Sequence, residues 1–282
     1  MAGIKLVAAT VSVPAYAGGN PALANEVSTS FSYGVLVRPR WVPGLSLSAD
    51  YLSIDISGPI STQDANAIVQ GCFDNPSFDS ADPANGNSFC SLIRRDANGQ
   101  VVADPRNPGV TTGYVNGQRI AMSAVQFGLD WQAPRQFLGL PGQLSASGQL
   151  FHLRRRLVDL TGVAPVRSDG LLTDPKWQGQ LRLGYAARGW GTTWNVNWSG
   201  PTIAAVTGRG DQPNDTREFD HFSGFVTLDA ALWFEVQPGF RLNLSVTNLT
   251  NRVGQEYYGV IVPATISDAL GRRFAVSVSK RW

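Results

Sequence analysis

Side chains that switch between apolar and polar at every step leave this chain few folds. From Phe240 it reads FRLNLSVTNL, with Phe240, Leu242, Leu244 and Val246 on one face and Arg241, Asn243, Ser245 and Thr247 on the other. Period two means a strand with one apolar and one polar face. Val226, Leu228, Ala230, Leu232, Phe234 and Val236 alternate likewise with Thr227, Asp229, Ala231, Trp233 and Glu235. So do Leu181, Leu183 and Tyr185 with Gln180, Arg182 and Gly184, and Trp190, Trp194, Val196 and Trp198 with Gly191, Thr193, Asn195 and Asn197. Val27, Phe31, Tyr33, Val35 and Val37 repeat the pattern near the start, and Val125, Phe127, Leu129 and Trp131 in the middle. The phase slips around Tyr51–Leu52 and Gln149–Leu150, which predicts bulges there. About nine strands result, at 26–38, 45–57, 118–132, 143–158, 177–187, 190–199, 222–236, 240–249 and 273–282. Their lengths match or exceed the roughly 9–11 residues a tilted strand needs to cross a bilayer.

The connections alternate in length. Short ones fall at 39–44 (PRWVPG), 133–141, 188–189 and 237–239 (QPG), and long polar ones at 59–117, 159–176, 200–221 and 250–272. Short periplasmic turns opposite long extracellular loops are the layout of an outer-membrane barrel. A soluble sandwich mixes its loop lengths and uses shorter strands, yet it too could bury an alternating apolar face. In a barrel the lumen would be lined by Arg182, Asn195, Asp229, Glu235, Arg241 and Asn243. Trp41, Trp131, Trp190 and Trp282 would stand in the aromatic girdles. Fixing QPG in the periplasm puts the last strand's end there and the first strand's start outside. An odd strand count of that kind predicts a piece of a larger barrel.

Charged residues make up 16% of the chain, against roughly 25% in soluble domains. A formal charge of +2 offers no basic stripe for nucleic acid. No apolar run reaches the roughly 18 residues of a spanning helix, so any insertion must be by strands. Residues 1–17 (MAGIKLVAATVSVPAYA) form an atypical stretch, read as a truncation scar or a weak signal-like segment; 18–282 is the barrel portion. Cys72 and Cys90, both in the polar segment after 59, read as a disulfide, which belongs in an oxidising compartment. Free thiols are the alternative; a zinc site is incomplete with two thiols and distant histidines. A short helix is expected near 61–70, and turns over the rest of that loop.

Other chemistry is weak. Asp229 and Glu235 share a strand face but more simply face water. His221 beside Asp220 has no nucleophile for a triad. Arg154, Arg155 and Arg156 could bind lipopolysaccharide phosphates, though a solvated strand end is the simpler reading. GRGD at 208–211 lacks the context of a phosphate loop. The tryptophans could stack on sugars, but their alternation with Asn favours an interfacial band. No catalytic residue, metal site or cofactor is expected.

The C-terminal strand GRRFAVSVSKRW keeps Phe274, Val276 and Val278 in phase with a terminal Trp282, which resembles the signal read by the barrel-assembly machinery; Lys280 departs from it. Upstream, VTLDAALWFEVQPGFRLNLSVTNLTN followed by Gly271-Arg272 resembles the last three strands of TonB-dependent receptors, with Asn248, Leu249, Thr250 and Asn251 as their N-L-x-N ending. GGNPALANEV keeps Asn20, Pro21, Leu23 and Glu26 of the family's N-P-x-L-x-P-E stretch, while Ala24-Asn25 departs from it. PGLSLSADYLSIDISGPIS resembles the strand before a long Cys-bearing external loop. Such a resemblance, over roughly 18–282, implies the C-terminal part of a 22-stranded barrel in the Gram-negative outer membrane. It implies a non-enzymatic receptor for a scarce ligand: an iron–siderophore, a cobalamin-like compound or a saccharide. Implied partners are outer-membrane lipid, the plug and N-terminal strands that this stretch does not contain, and, through them, a TonB-type energy transducer. A passive porin and a soluble all-β carbohydrate-binding protein are the alternatives.

Overall fold

The computed structural model describes residues 15–21, 23–75, 78–79, 81–82, 87–104, 106–135, 137–162, 165–203, 221–254 and 268–280. Two compact units emerge. One comprises residues up to 29 with 55–121 and 157–166, the other 30–54, 122–156 and 167–282.

Nine long strands, most of their residues in the second unit, form one sheet: β1 (Val27–Val37), β2 (Leu45–Ser57), β3 (Arg119–Gln132), β4 (Gln143–Asp159), β5 (Trp177–Ala187), β6 (Trp190–Ser199), β7 (Phe225–Gln237), β8 (Phe240–Thr247) and β9 (Arg273–Lys280). Each pairs with its neighbour in sequence, from β1 at one edge to β9 at the other. An up-and-down meander is what chain segments produce when short turns alternate with long loops. Turns require special backbone: Gly44 sits at φ 81, and a Cβ there would meet the Gln132 carbonyl oxygen at 2.0 Å.

Register preserves the two faces. Leu181 pairs with Val196, which pairs with Leu228; one step on, Arg182 pairs with Asn195, which pairs with Asp229. The apolar face is uncovered. On interior strands Leu183 is 43% and Trp194 39% exposed, and on β9 Val276 is 69% exposed. A sandwich would have covered these side chains with a second sheet. None does so among the described residues: the fold is an antiparallel β-barrel segment rather than a two-sheet sandwich. No described helix is long and apolar enough to cross a membrane.

The expected bulge at Gln149–Leu150 is absent: β4 pairs with β5 without a break from Gln143 to His152. Phe151 and Leu153 put apolar groups on the polar face there, so the hydrophobicity changes phase while the backbone does not. Tyr51 and Leu52 lie within the strand β2. A register shift falls instead between Glu235 and Gln237, beside the QPG turn.

The first unit gathers the long loop after β2 around its own small core. Helix α1 (Ala65–Phe73) starts where Asp64 accepts a hydrogen bond from the Ala67 amide at 2.7 Å, an N-cap. It lies later than the expected 61–70 because Ile60–Gln63 pairs as a strand with Gly113–Asn116. Ile68 and Cys72, one helical turn apart, are fully buried with Cys90, Val110, Ile93 and Phe89. Cys72 and Cys90 are joined by a disulfide. The stretch expected to be turns thus carries a core and a strand, Val110–Asn116, which also pairs in parallel with Ala15–Gly18.

Candidate functional site

Polar side chains of β3 to β9 form ordered rows across one face of the sheet. Gln149, Gln180, Asn197 and Thr227 stand in register on four successive strands. The next row toward the short turns is Ser147, Arg182, Asn195 and Asp229. With Gln126 these residues line two adjoining hollows of about 680 and 560 Å³. Amide groups offer both donors and acceptors, so the Gln149–Gln180–Asn197 row can hydrogen-bond a polar solute beside the charged Arg182 and Asp229 of the next row.

Asp229 links the rows to the end of the sheet that bears the long loops. One oxygen accepts from Asn197 Nδ2 at 3.1 Å and the other from the Asn248 amide at 2.8 Å. Asn248, fully buried, has φ 54, a conformation Asn tolerates better than most residues. Its Nδ2 donates to the Arg252 carbonyl (2.8 Å) and Asp268 (3.0 Å), while its Oδ1 accepts from the Arg252 amide (2.9 Å). Asn251, at φ 53, accepts the Arg272 amide at 2.9 Å. Two asparagines three apart thereby tie β8 to the start of β9. Asp268 also meets Arg273 at 2.9 Å. The Arg273 hydrogen bond, opposed by partial burial and assisted by the Leu270 amide and Asn248, lowers the Asp268 carboxyl to about 2. Asp268 and Arg273 both line the larger hollow.

The six lumen candidates all fall on this polar face, in two groups. Arg182, Asn195 and Asp229 are neighbours across three strands. Glu235 and Arg241 are opposed near the short-turn end, with Asn243 opposite Ser277 and 3.4 Å from its hydroxyl. Asp229 and Glu235 are six residues apart, about 20 Å along a strand, so they do not form a catalytic pair. Near the same end, Arg241 covers the Trp233 ring at 4.2 Å. That ring crosses Gly191, where a Cβ would meet it at 2.5 Å.

The sequence marks Asn248 only as part of a motif, and it gives no sign of Asp268, Arg273 or the row of glutamines. N-L-T-N was visible as a motif, but nothing local says that Asp268, 20 positions on, closes against it. Phe274, Val276 and Val278 project from one face of β9 opposite Val246, Leu244 and Leu242; Trp282, Asp220, residues 208–211 and residues 1–14 lie outside the described residues. Among the described residues no three His, Cys, Asp or Glu side chains gather as a metal site.

The family profile described as TonB dependent receptor-like, beta-barrel matches residues 4–249. The chain belongs to the TonB-dependent receptor family. No curated protein matches it, but solved structures of the family do. The siderophore receptor PirA from Acinetobacter baumannii superposes with a TM-score of 0.60 at 11% identity, over 94% of this chain and 33% of that one. A ferric enterobactin receptor (PfeA) mutant from Pseudomonas aeruginosa gives 0.56 at 15% identity, over 94% and 32%. The FrpB iron transporter from Neisseria meningitidis gives 0.57 at 11%, over 94% and 32%. The chain therefore spans about one third of the length of these TonB-dependent barrels.

Proposed function

We propose that this chain forms the C-terminal barrel wall of a Gram-negative outer-membrane receptor that takes up a scarce ligand with energy from a TonB-type partner. The carrying observation is the division of one sheet into an exposed apolar face and a hydrogen-bonding face with adjoining hollows. The apolar face meets lipid; the polar face lines a wettable lumen. The receptor's plug and its remaining strands complete the barrel, and the energy transducer engages it through the plug. The role proposed is binding and transport, without a catalytic step.

An iron chelate is the ligand class favoured. Siderophores present carbonyl, hydroxyl and carboxylate oxygens, and the Gln126–Gln149–Gln180–Asn197 surface with Arg182 and Arg273 offers donors to each of them. Saccharides and cobalamin-like compounds share part of that chemistry and are the competing ligands. Accumulation of labelled ferric chelate, cobalamin and oligosaccharide in cells with and without the gene tests the reading. The gene should raise ferric-chelate uptake, and only where the energy transducer is intact. Uptake indifferent to the transducer would assign a passive porin instead.

A further inference from the structure

On the apolar face of the sheet, β4 changes character along its length. Its outward positions run Leu144, Ala146, Gly148, Leu150, then His152, Arg154 and Arg156. The change falls at His152, whose ring stacks on Trp177 at 3.9 Å. Toward the long loops, the Arg154 guanidinium stands 6.0 Å from the Tyr51 ring and makes no ion pair among the described residues. Arg156 pairs with Asp174 at 3.1 Å. Arg167 and Lys176 flank the buried carboxylate of Asp169 at 2.9 and 3.9 Å. Two arginines against the one carboxylate of Asp174 leave the outward row of β4 net positive.

Toward the short turns, a groove of about 570 Å³ on the same face is lined by Val37, Leu47, Leu129, Leu150, Leu181 and Trp198. Glycines make its floor: Gly148 is opposite Leu181, and Gly179 is opposite Leu150. Four residues separate Leu150 from Arg154, about 14 Å along the strand. An apolar slot thus leads, past a ring-stacked girdle, to clustered cations.

We propose that this strip binds one membrane lipid of the outer leaflet with a phosphorylated headgroup. An acyl chain lies in the Gly148–Gly179 groove and the phosphate meets Arg154, with Arg156, the next outward cation of the strand, adding positive charge. Arginine suits this role because its planar fork matches phosphate oxygens. The inference rests on the membrane placement proposed above, since only a face in lipid presents both parts to one amphiphile.

The experiment uses the full chain in maltoside micelles, with native mass spectrometry reading the bound fraction. The probes are diphosphorylated lipid A, the same glycolipid with its phosphates removed, and inorganic phosphate. Binding should be at least tenfold tighter for the phosphorylated lipid, and millimolar inorganic phosphate should not displace it. Arg154→Ala should cost roughly tenfold, the value of one charge-assisted hydrogen bond. Arg155→Ala removes the same charge from the opposite face and should cost nothing. Gly179→Leu should weaken both lipids. Circular dichroism shows whether each variant keeps its strands, and the Arg155 variant shows whether charge loss alone matters. Equal binding of the two lipids, equal loss in both arginine variants, or full displacement by inorganic phosphate overturns the site. A protease-shift assay in lipid vesicles separates the two readings. A chain that inserts but shows no phosphate preference overturns only the lipid site; one that does not insert overturns the membrane placement as well.

Discussion

Replacing Asn248 with alanine removes three short side-chain hydrogen bonds, of 2.8, 3.0 and 2.9 Å, and a longer one from the Thr250 hydroxyl at 3.4 Å, from a fully buried corner. At about 1 kcal/mol for each of the three short ones, their loss costs about 3 kcal/mol. Alanine at φ 54 adds strain of about 1 kcal/mol, for a total near 4 kcal/mol, which is large for a single substitution. Asn248→Gly loses the same bonds but accepts the backbone freely, so it should cost about 3 kcal/mol. Urea unfolding of the chain in lipid vesicles, followed by tryptophan fluorescence, gives both numbers. The account requires Ala to be worse than Gly and both to be severe. A loss under about 1 kcal/mol for Ala, less than one typical hydrogen bond, would mean that the corner does not hold β8 to β9.

Four further outcomes are expected. Asp268 titrates at about 2 in the fold, below the unfolded value near 3.9, so its contribution is present above pH 4 and fades as pH falls toward 2. Asp268→Asn should therefore flatten the acid limb of stability, measured as urea midpoints at pH 5 and pH 3. Gly191→Val would drive a side chain into the Trp233 ring and should cost about 1–3 kcal/mol by overpacking, with a shifted near-ultraviolet spectrum. Cys72→Ser with Cys90→Ser should destabilise the loop unit by about 3 kcal/mol, read as faster proteolysis between α1 and Cys90 with the nine-stranded sheet intact. Leu183→Arg, on the exposed apolar face, should cost about 2–4 kcal/mol in vesicles, whereas Asn195→Arg on the polar face should cost far less.

Three strands, 45–57, 177–187 and 190–199, were legible to the residue, because turn residues bound each of them and alternation runs unbroken through the last two. Other ends moved for local reasons. β8 stops at Thr247 rather than at 249 because Asn248 turns into the left-handed region. β7 starts at Phe225 rather than at 222 because His221–Phe222 pairs with Thr202–Ile203. The site was half legible. Period two assigns a face, so Arg182, Asn195, Asp229, Glu235, Arg241 and Asn243 could be placed together. Which of them are neighbours depends on register, and register is a relation between strands that no single strand encodes. In the alternation Gly191 is one more polar-face position; only pairing with Trp233 gives it a purpose. The loop core around Ile68 escaped notice because its apolar residues are sparse and lie far apart in sequence.

Central to everything is the claim that neighbouring residues on a strand meet different solvents. Single cysteines placed along β7 from Val226 to Glu235, in a background with Cys72 and Cys90 replaced, can carry an environment-sensitive fluorophore. With the chain in vesicles of brominated lipid, quenching should be strong at 226, 228, 230, 232 and 234 and weak at 227, 229, 231, 233 and 235. A flat profile, or strong quenching at the polar positions, would contradict the account.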